Sequence, residues 1–461
     1  MRKYHTILVM FVLFFSGCSE HLTDNPKPNQ PPETKLFLYP DSTLRTTTSR
    51  QILHWSGDDP DGKVVRYIHT WNPDAPIILN WTEFTKELGW DSTSANCDTF
   101  ALKFLQIDTT YTFRVSAVDD QGAIDPTPAQ MSFPVANTPP VVEFTIGMDV
   151  PETTFTVASF SWRGTDLDGD DTIKEYQWVL DDTNQTWHSL GALINFITLT
   201  ADSGLTAGDH VFYLKAIDNA GVASAIIRMP KKDKVWYVRE PLGDLLLIDD
   251  YDPLDNSAIF YKTILDTLVG QYSVWDIKID RNRDNRNDFL PSSVVTFTQT
   301  LLLFQRVIWY ADDTPHLEQA QISVPIFLKQ GGKIIFSTRF KEFFSEQGDP
   351  LDFSPADSLG VSISRIFNNT VLKAQKPGFP ELKVKSSGGI IPFVKALIPK
   401  PSAQVVYTLE SSSQWPGNPV MALENAETTF FFCALPIHQL DGNGNVGVLI
   451  KKILKEEFGA P

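Results

Sequence analysis

Four short polar clusters in the C-terminal half of the chain carry side chains able to do chemistry. They are Asp249-Asp250, Asp312-Asp313, Ser337-Thr338-Arg339 and His438. Ser337 beside the imidazole of His438 would be a nucleophile with its base, the minimum for a hydrolase or an acyl- or amide-transfer enzyme. No Gly-x-Ser-x-Gly turn surrounds Ser337, so that pairing depends wholly on the fold bringing His438 to it. The carboxylates of Asp249, Asp250, Asp312 and Asp313, with the guanidinium of Arg339, are candidate ligand-binding groups. A second set lies in the N-terminal half, where Asp59 and Asp61, then Asp166, Asp168 and Asp170, place carboxylates at alternate positions. Calcium loops use that spacing, but they want Gly at position six and Glu at position twelve, where this chain has Asp171 and Gln177. Asp280, Asn282 and Asp284 repeat the spacing with Pro291 at the twelfth position. Tight turns between strands select the same residues without metal. The turn reading is preferred, no cofactor is expected, and calcium stands as the alternative.

The elements that must position these groups change character along the chain. After Arg239-Glu-Pro241 the apolar residues come in continuous runs, Leu245–Ile248, Val307–Trp309 and Lys333–Phe336, with Thr428–Cys433 near the end. Runs of that kind mark strands buried on both faces of a parallel sheet. Helical patterns lie between them, around Ile259–Leu268, over Leu317–Lys329 despite Pro325, and from Val446 to Phe458. A strand is also expected over Tyr272–Ile277. In an open sheet of this type ligands bind beyond the carboxyl ends of the strands, which is where the four polar clusters fall.

The N-terminal half contains a repeat. Trp55-Ser-Gly57-Asp-Asp59-Pro-Asp61-Gly62 with Tyr67 matches Trp162-Arg-Gly164-Thr-Asp166-Leu-Asp168-Gly169 with Tyr176. Later, Phe113–Asp119 matches Phe212–Asp218. Period-two alternation in both stretches predicts strands with one buried face. The repeat length, roughly 100 residues, is that of an immunoglobulin-like sandwich. Trp71, Trp81, Trp90 and Trp187 could stack on sugars, but core packing is the preferred reading.

Cys18 follows Met1-Arg2-Lys3, the apolar run Ile7–Phe15 and the small pair Ser16-Gly17. A basic start, a short apolar core and small residues describe a secretory leader. The cysteine after the small pair resembles a bacterial lipoprotein signal, which implies a lipid on Cys18 and attachment to a membrane of the cell envelope, either periplasmic or surface-facing on the outer membrane. Residues 19–32 hold four prolines and almost no apolar side chain, a solvated tether. The net charge is −17, and loss of Arg2 and Lys3 with the leader deepens it by two. A field of that sign repels phosphate backbones, so nucleic acid is excluded as a partner. Cys97 and Cys433 are too far apart in sequence to suggest a disulfide framework, and both are expected to be buried free thiols.

The two repeats resemble fibronectin type III and related immunoglobulin-like domains, without the paired cysteines of antibodies. The third segment resembles the class I glutamine amidotransferase-like fold, on the order of its elements, the Gly331-Gly332-Lys-Ile-Ile-Phe336 step and the Phe430-Phe-Phe-Cys433-Ala-Leu-Pro436 strand. That resemblance implies a flavodoxin-like three-layer α/β sandwich with a cysteine nucleophile after the strand at 333–336. This chain has Ser337 there, which favours a degenerate, non-catalytic domain. The expected organisation is therefore multidomain: leader 1–17, tether 18–32, all-β sandwiches at 33–136 and 137–240, and the α/β domain at 241–461. The expected function is a non-enzymatic envelope lipoprotein whose sandwiches serve as spacer and binding arm for a domain that recognises a protein or carbohydrate ligand. An exported enzyme using Ser337 and His438, and a calcium-dependent adhesin, are the alternatives.

Overall fold

The structure is a computed structural model that describes residues 27–37, 50–82, 85–102, 108–253, 255–278, 290–342 and 350–459. Cys18, its leader and the Asp280–Asp284 set lie outside them. The chain forms two compact units. One runs to Thr138 and includes Leu167–Gly169; the other comprises Pro139–Asp166 and Asp170 onward.

The described residues of the first unit form a β-sandwich of seven strands. They are β1 (Glu33–Phe37), β2 (Arg50–Asp58), β3 (Val64–Thr70), β4 (Asp91–Thr93), β5 (Cys97–Ala101), β6 (Asp108–Asp119) and β7 (Ala129–Ala136). One sheet has the order β1-β2-β5 and the other β4-β3-β6-β7, all antiparallel. Phe113 and Val115 point inward from β6 to meet Leu53, Trp55, Phe133 and Val135, as period-two alternation requires. Trp90 is buried and Trp71 packs on Phe100 and Phe113, so these tryptophans are core residues. Cys97 departs from expectation, because it is exposed. It lies on β5, an edge strand, opposite His54.

The second unit begins with the second repeat. Its strands are β8 (Val141–Phe144), β9 (Thr153–Thr154), β10 (Val157–Thr165), β11 (Ile173–Leu180), β12 (His188–Gly191), β13 (Phe196–Thr200), β14 (Gly208–Asp209), β15 (Phe212–Asp218), β16 (Ile227–Met229) and β17 (Tyr237–Val238). Sheets β13-β10-β8 and β12-β11-β15-β16 face each other, with β14-β17-β9 beside them. Phe160 stacks on Phe212 across the core with centroids 4.1 Å apart.

The repeated Trp-x-Gly…Tyr motif has one structural meaning in both copies. The N–H of Gly57 donates to the Tyr67 hydroxyl at 3.0 Å, and Gly164 makes the same bond to Tyr176. Trp55 and Trp162 pack edge-on against those tyrosines. A Cβ on Gly164 would lie 2.2 Å from the Tyr176 oxygen, so only glycine allows the approach. Trp81 and Trp187 also share a role, each lying under a cation, Arg66 and Lys215 respectively.

The remainder forms one large sheet with helices. In order come β18 (Leu245–Asp250), α1 (Ser257–Leu268), β19 (Ser273–Asp276), α2 (Val294–Leu301), β20 (Arg306–Ala311), α3 (Leu317–Lys329), β21 (Lys333–Ser337), β22 (Ala356–Phe367), β23 (Val371–Ala374), β24 (Leu382–Lys383), β25 (Ile390–Pro399), β26 (Gln404–Leu409), β27 (Val420–Glu424), β28 (Phe430–Cys433) and α4 (Val446–Lys451), which continues as a wider turn to Glu457. Strands β19-β18-β20-β21-β28 are mutually parallel. Every residue of β18, β20 and β28 is buried, so both faces are covered. Each fully buried Leu, Ile, Val or Phe here contributes about 1.5–3 kcal/mol. The sheet then departs from a simple strand–helix alternation. It continues through β27, β26, β23 and β24, all antiparallel, and β22 and β25 pair as a long arm joined to β27. The α/β pattern thus ends after β21 and resumes only at β28.

The second sandwich and the large mixed sheet share a core. Phe155 is 2% exposed and belongs to the same apolar cluster as Trp275 and Phe304. The main-chain N–H of Ser159 on β10 donates to the Thr296 hydroxyl of α2 at 3.0 Å. Among the described residues no helix is long and apolar enough to cross a membrane.

Candidate functional site

The carboxyl ends of β18, β20, β21 and β28 bring the four polar clusters to one edge of the parallel sheet, and two separate networks result. The first centres on Asp250, which has no exposed surface. Its carboxylate accepts from the Trp309 indole at 3.1 Å, from the His316 main chain at 2.9 Å and from the His316 ring at 2.7 Å. Lys278 lies 3.6 Å from Asp250 and 3.2 Å from Asp312. The Asp312 carboxylate also accepts from the main chain of Asp252 at 3.0 Å and of Thr314 at 2.7 Å. Burial pushes the Asp312 carboxyl up, but these N–H donors and Lys278 outweigh it and hold the group below the ordinary carboxylate range. Asp313 is bridged to both Arg339 and Lys341, and Arg339 also donates to the Pro392 carbonyl at 2.9 Å. Thr338 fastens the edge by donating to the Asp312 carbonyl through its hydroxyl and to the Cys433 carbonyl through its N–H.

The second network forms around His438, which follows β28 on the turn Ile437–Leu440. Its Nε2 lies 3.1 Å from Asp255 Oδ2, and the Tyr251 hydroxyl donates to the same oxygen at 3.0 Å. The other oxygen of Asp255 accepts from the Ser257 N–H at 2.8 Å, at the start of α1. Burial raises the Asp255 carboxyl, yet the His438 and Ser257 donors prevail and hold it well below its usual range. Tyr251 is pushed up, first by burial and then by the Asp255 charge. The imidazole stands edge-on to Tyr251 with centroids 5.1 Å apart. Beside it opens a cavity of about 130 Å³ lined by Asp255, Asn256, Phe260, Lys385, His438 and Asp441, among others.

The Ser337–His438 pair that the enzyme alternative requires is not formed among the described residues. Ser337 is 1% exposed, and no hydrogen bond joins it to His438 among the described residues. Asp255 has captured the imidazole, and the buried phenol of Tyr261 lies against the Ser337 side chain and the His438 main chain. A serine without an adjacent base has no route to the alkoxide. Cys433, one strand over, is buried, and desolvation lifts its thiol to about 12, so it is no nucleophile either. Sequence reasoning missed Lys278, His316 and Asp255. A signal for the last was present, since Asp255-Asn256-Ser257 before an amphipathic run is a helix-entry pattern.

The acidic residues of the sandwiches are occupied in loop contacts. Asp59 accepts from the Asp61 N–H at 3.3 Å and Asp61 from the Gln30 N–H at 3.2 Å. Asp168 accepts from the N–H and hydroxyl of Thr138 at 2.7 and 2.8 Å, and Asp170 from the Asp166 N–H at 3.1 Å. Among the described residues no group of three or more His, Cys, Asp or Glu side chains is placed to hold a metal ion.

No protein-family model matches the chain, and no curated protein matches it in sequence. Solved structures do align. The fibronectin(III)-like modules of Clostridium thermocellum CbhA align at 14% identity over 45% of this chain and 95% of theirs, with a TM-score of 0.19. A segment of two fibronectin type III domains from chicken tenascin aligns at 14% identity over 45% of this chain and 99% of its own, with a TM-score of 0.22. PurLQS from Thermotoga maritima aligns at 9% identity over 46% of this chain and 96% of its own, with a TM-score of 0.29. At these scores the fold assignment rests on strand order and register. By those, the chain is a mostly β protein built on several sheets, with β-sandwich domains in its N-terminal half.

Proposed function

We propose that the protein is a lipoprotein of the bacterial cell envelope, held by lipid on Cys18, whose sandwich modules carry a non-enzymatic recognition domain. The observation that carries this reading is the mutual pairing of the strand-end groups: Asp250 with His316 and Lys278, Asp313 with Arg339 and Lys341, and His438 with Asp255 rather than with Ser337. Groups paired with one another position loops and shape a surface, whereas a catalyst needs a group left poised for its substrate. The order β19-β18-β20-β21-β28 supports a flavodoxin-type parallel sheet. Ser337, standing where amidotransferases of that fold carry cysteine, supports a degenerate member of that class.

Three measurements test the proposal. Intact mass of the detergent-extracted chain is expected to include a diacylglyceryl group on Cys18, and Cys18→Ser to release the protein from membranes. An unmodified chain in the cytosolic fraction would overturn the location. Cross-linking of the full chain in its native envelope is expected to capture a protein or glycan. Turnover of an ester or amide abolished by Ser337→Ala would overturn the non-enzymatic reading.

A further inference from the structure

The cavity beside His438 has a composition that selects a ligand class. Its volume of about 130 Å³ is well below the roughly 300–1,000 Å³ of pockets for drug-sized ligands, so it admits one small ring and not an extended chain. Its walls come from three separate stretches: Asp255, Asn256 and Phe260 around the start of α1, Lys385 between β24 and β25, and His438 and Asp441 after β28. The two carboxylates outnumber the one ammonium by one charge, but both signs line the wall, so a ligand of high charge of either sign meets repulsion from part of it. Both carboxylates are fixed by the fold. Asp255 is held by Ser257, Tyr251 and His438, and Asp441 accepts from the Val446 N–H at 3.0 Å. Asn256 makes no side-chain capping bond to α1, which leaves its amide for other work. Phe260 adds an apolar ring, half-buried at the wall.

We propose that this cavity binds the ring of a single neutral sugar residue. A ring of that kind carries hydroxyls that each donate and accept, matching a wall that offers ammonium, amide and carboxylate groups. Its C–H face suits the phenyl ring of Phe260. The assignment rests on reading the α/β part as a recognition domain and names what that domain recognises.

The test is saturation-transfer NMR and thermal melting of the detergent-extracted full chain with glucose, galactose and N-acetylglucosamine, and with glycine and inorganic phosphate as charged probes. At least one sugar is expected to bind in the millimolar range, raising the melting midpoint as a ligand of the folded state must. Asn256 and Lys385 are both exposed. The variants Asn256→Ala and Lys385→Ala are therefore expected to keep the unliganded midpoint and to weaken sugar binding at least about tenfold. Binding of phosphate or glycine alone, no sugar signal up to about 50 mM, or sugar binding undiminished in both variants would overturn the assignment. Capture of a protein partner by a chain that binds no sugar would overturn this assignment while leaving the recognition reading in place.

Discussion

Replacing Gly164 with alanine tests the account of the repeated motif. A Cβ there would lie 2.2 Å from the Tyr176 oxygen, 2.8 Å from Ile173 Cδ1 and 2.9 Å from Tyr176 Cε1. Tyr176 and Ile173 are buried in the sandwich core, so neither can swing into solvent, and overpacking of this kind costs about 1–3 kcal/mol. Tyr176→Phe removes the closest of the three atoms and a hydrogen bond worth about 0.5–1.5 kcal/mol net. Gly164→Ala should therefore cost about 1 kcal/mol less in the Tyr176→Phe background than alone. The other two contacts remain, so rescue will be incomplete. Because the chain has several cooperative parts, a single melting curve is a poor readout. Amide hydrogen exchange over β10 and β11 reports the sandwich directly, with each step of about 1.4 kcal/mol appearing as about a tenfold loss of protection. Unchanged protection in Gly164→Ala, or equal costs in the two backgrounds, would refute the claim that the tyrosine dictates the glycine.

Further outcomes follow from other sites. Asp250→Ala should strip Lys278 and His316 of a buried partner and cost about 3–5 kcal/mol, read as loss of protection in β18 and β20, whereas exposed Asp120→Ala should change little. The folded-state carboxyls of Asp255 and Asp312 lie below their ordinary value. Their stabilisation is present above about pH 4 and is lost as the pH falls through the folded values, so Asp255→Asn should flatten the acid limb of the stability profile. His69 is packed among Trp55, Phe100 and Phe113, and burial lowers its proton affinity. The first sandwich should therefore weaken earlier, as the pH drops below about 6.5 where the unfolded imidazole takes up its proton, and His69→Leu should remove that step in exchange measured over β3. A thiol reagent should label Cys97 in the native chain and Cys433 only after denaturation, as mapped by peptide mass.

What the sequence revealed depended on how evenly each element is buried. Leu245–Ile248 and Arg306–Tyr310 are covered on both faces, so they read as continuous apolar runs and their strands could be placed. Phe113–Asp119 and Phe212–Asp218 are covered on one face and alternate cleanly. Strand β22 does neither. Its pairing with β25 shifts register between Ala356 and Ser358 and again between Leu359 and Ser362, which breaks the two-residue rhythm and hid the antiparallel extension. The acidic residues of the site were visible because they end recognisable strands. Their partners were not, because Lys278, His316 and Asp255 sit in connecting segments whose approach is decided only in three dimensions. The Ser337–His438 pairing failed for the same reason: nothing in the order of residues tells that a tyrosine from α1 would fill the space between them.

The core shared through Phe155 has a mechanical consequence. A pull on the second sandwich reaches the parallel sheet without slack, since the two are joined by packed rings and not by a linker. Severing the chain near residue 240 would bare an oily scar on both fragments, so the smallest piece worth expressing with its strand ends intact starts at the second repeat.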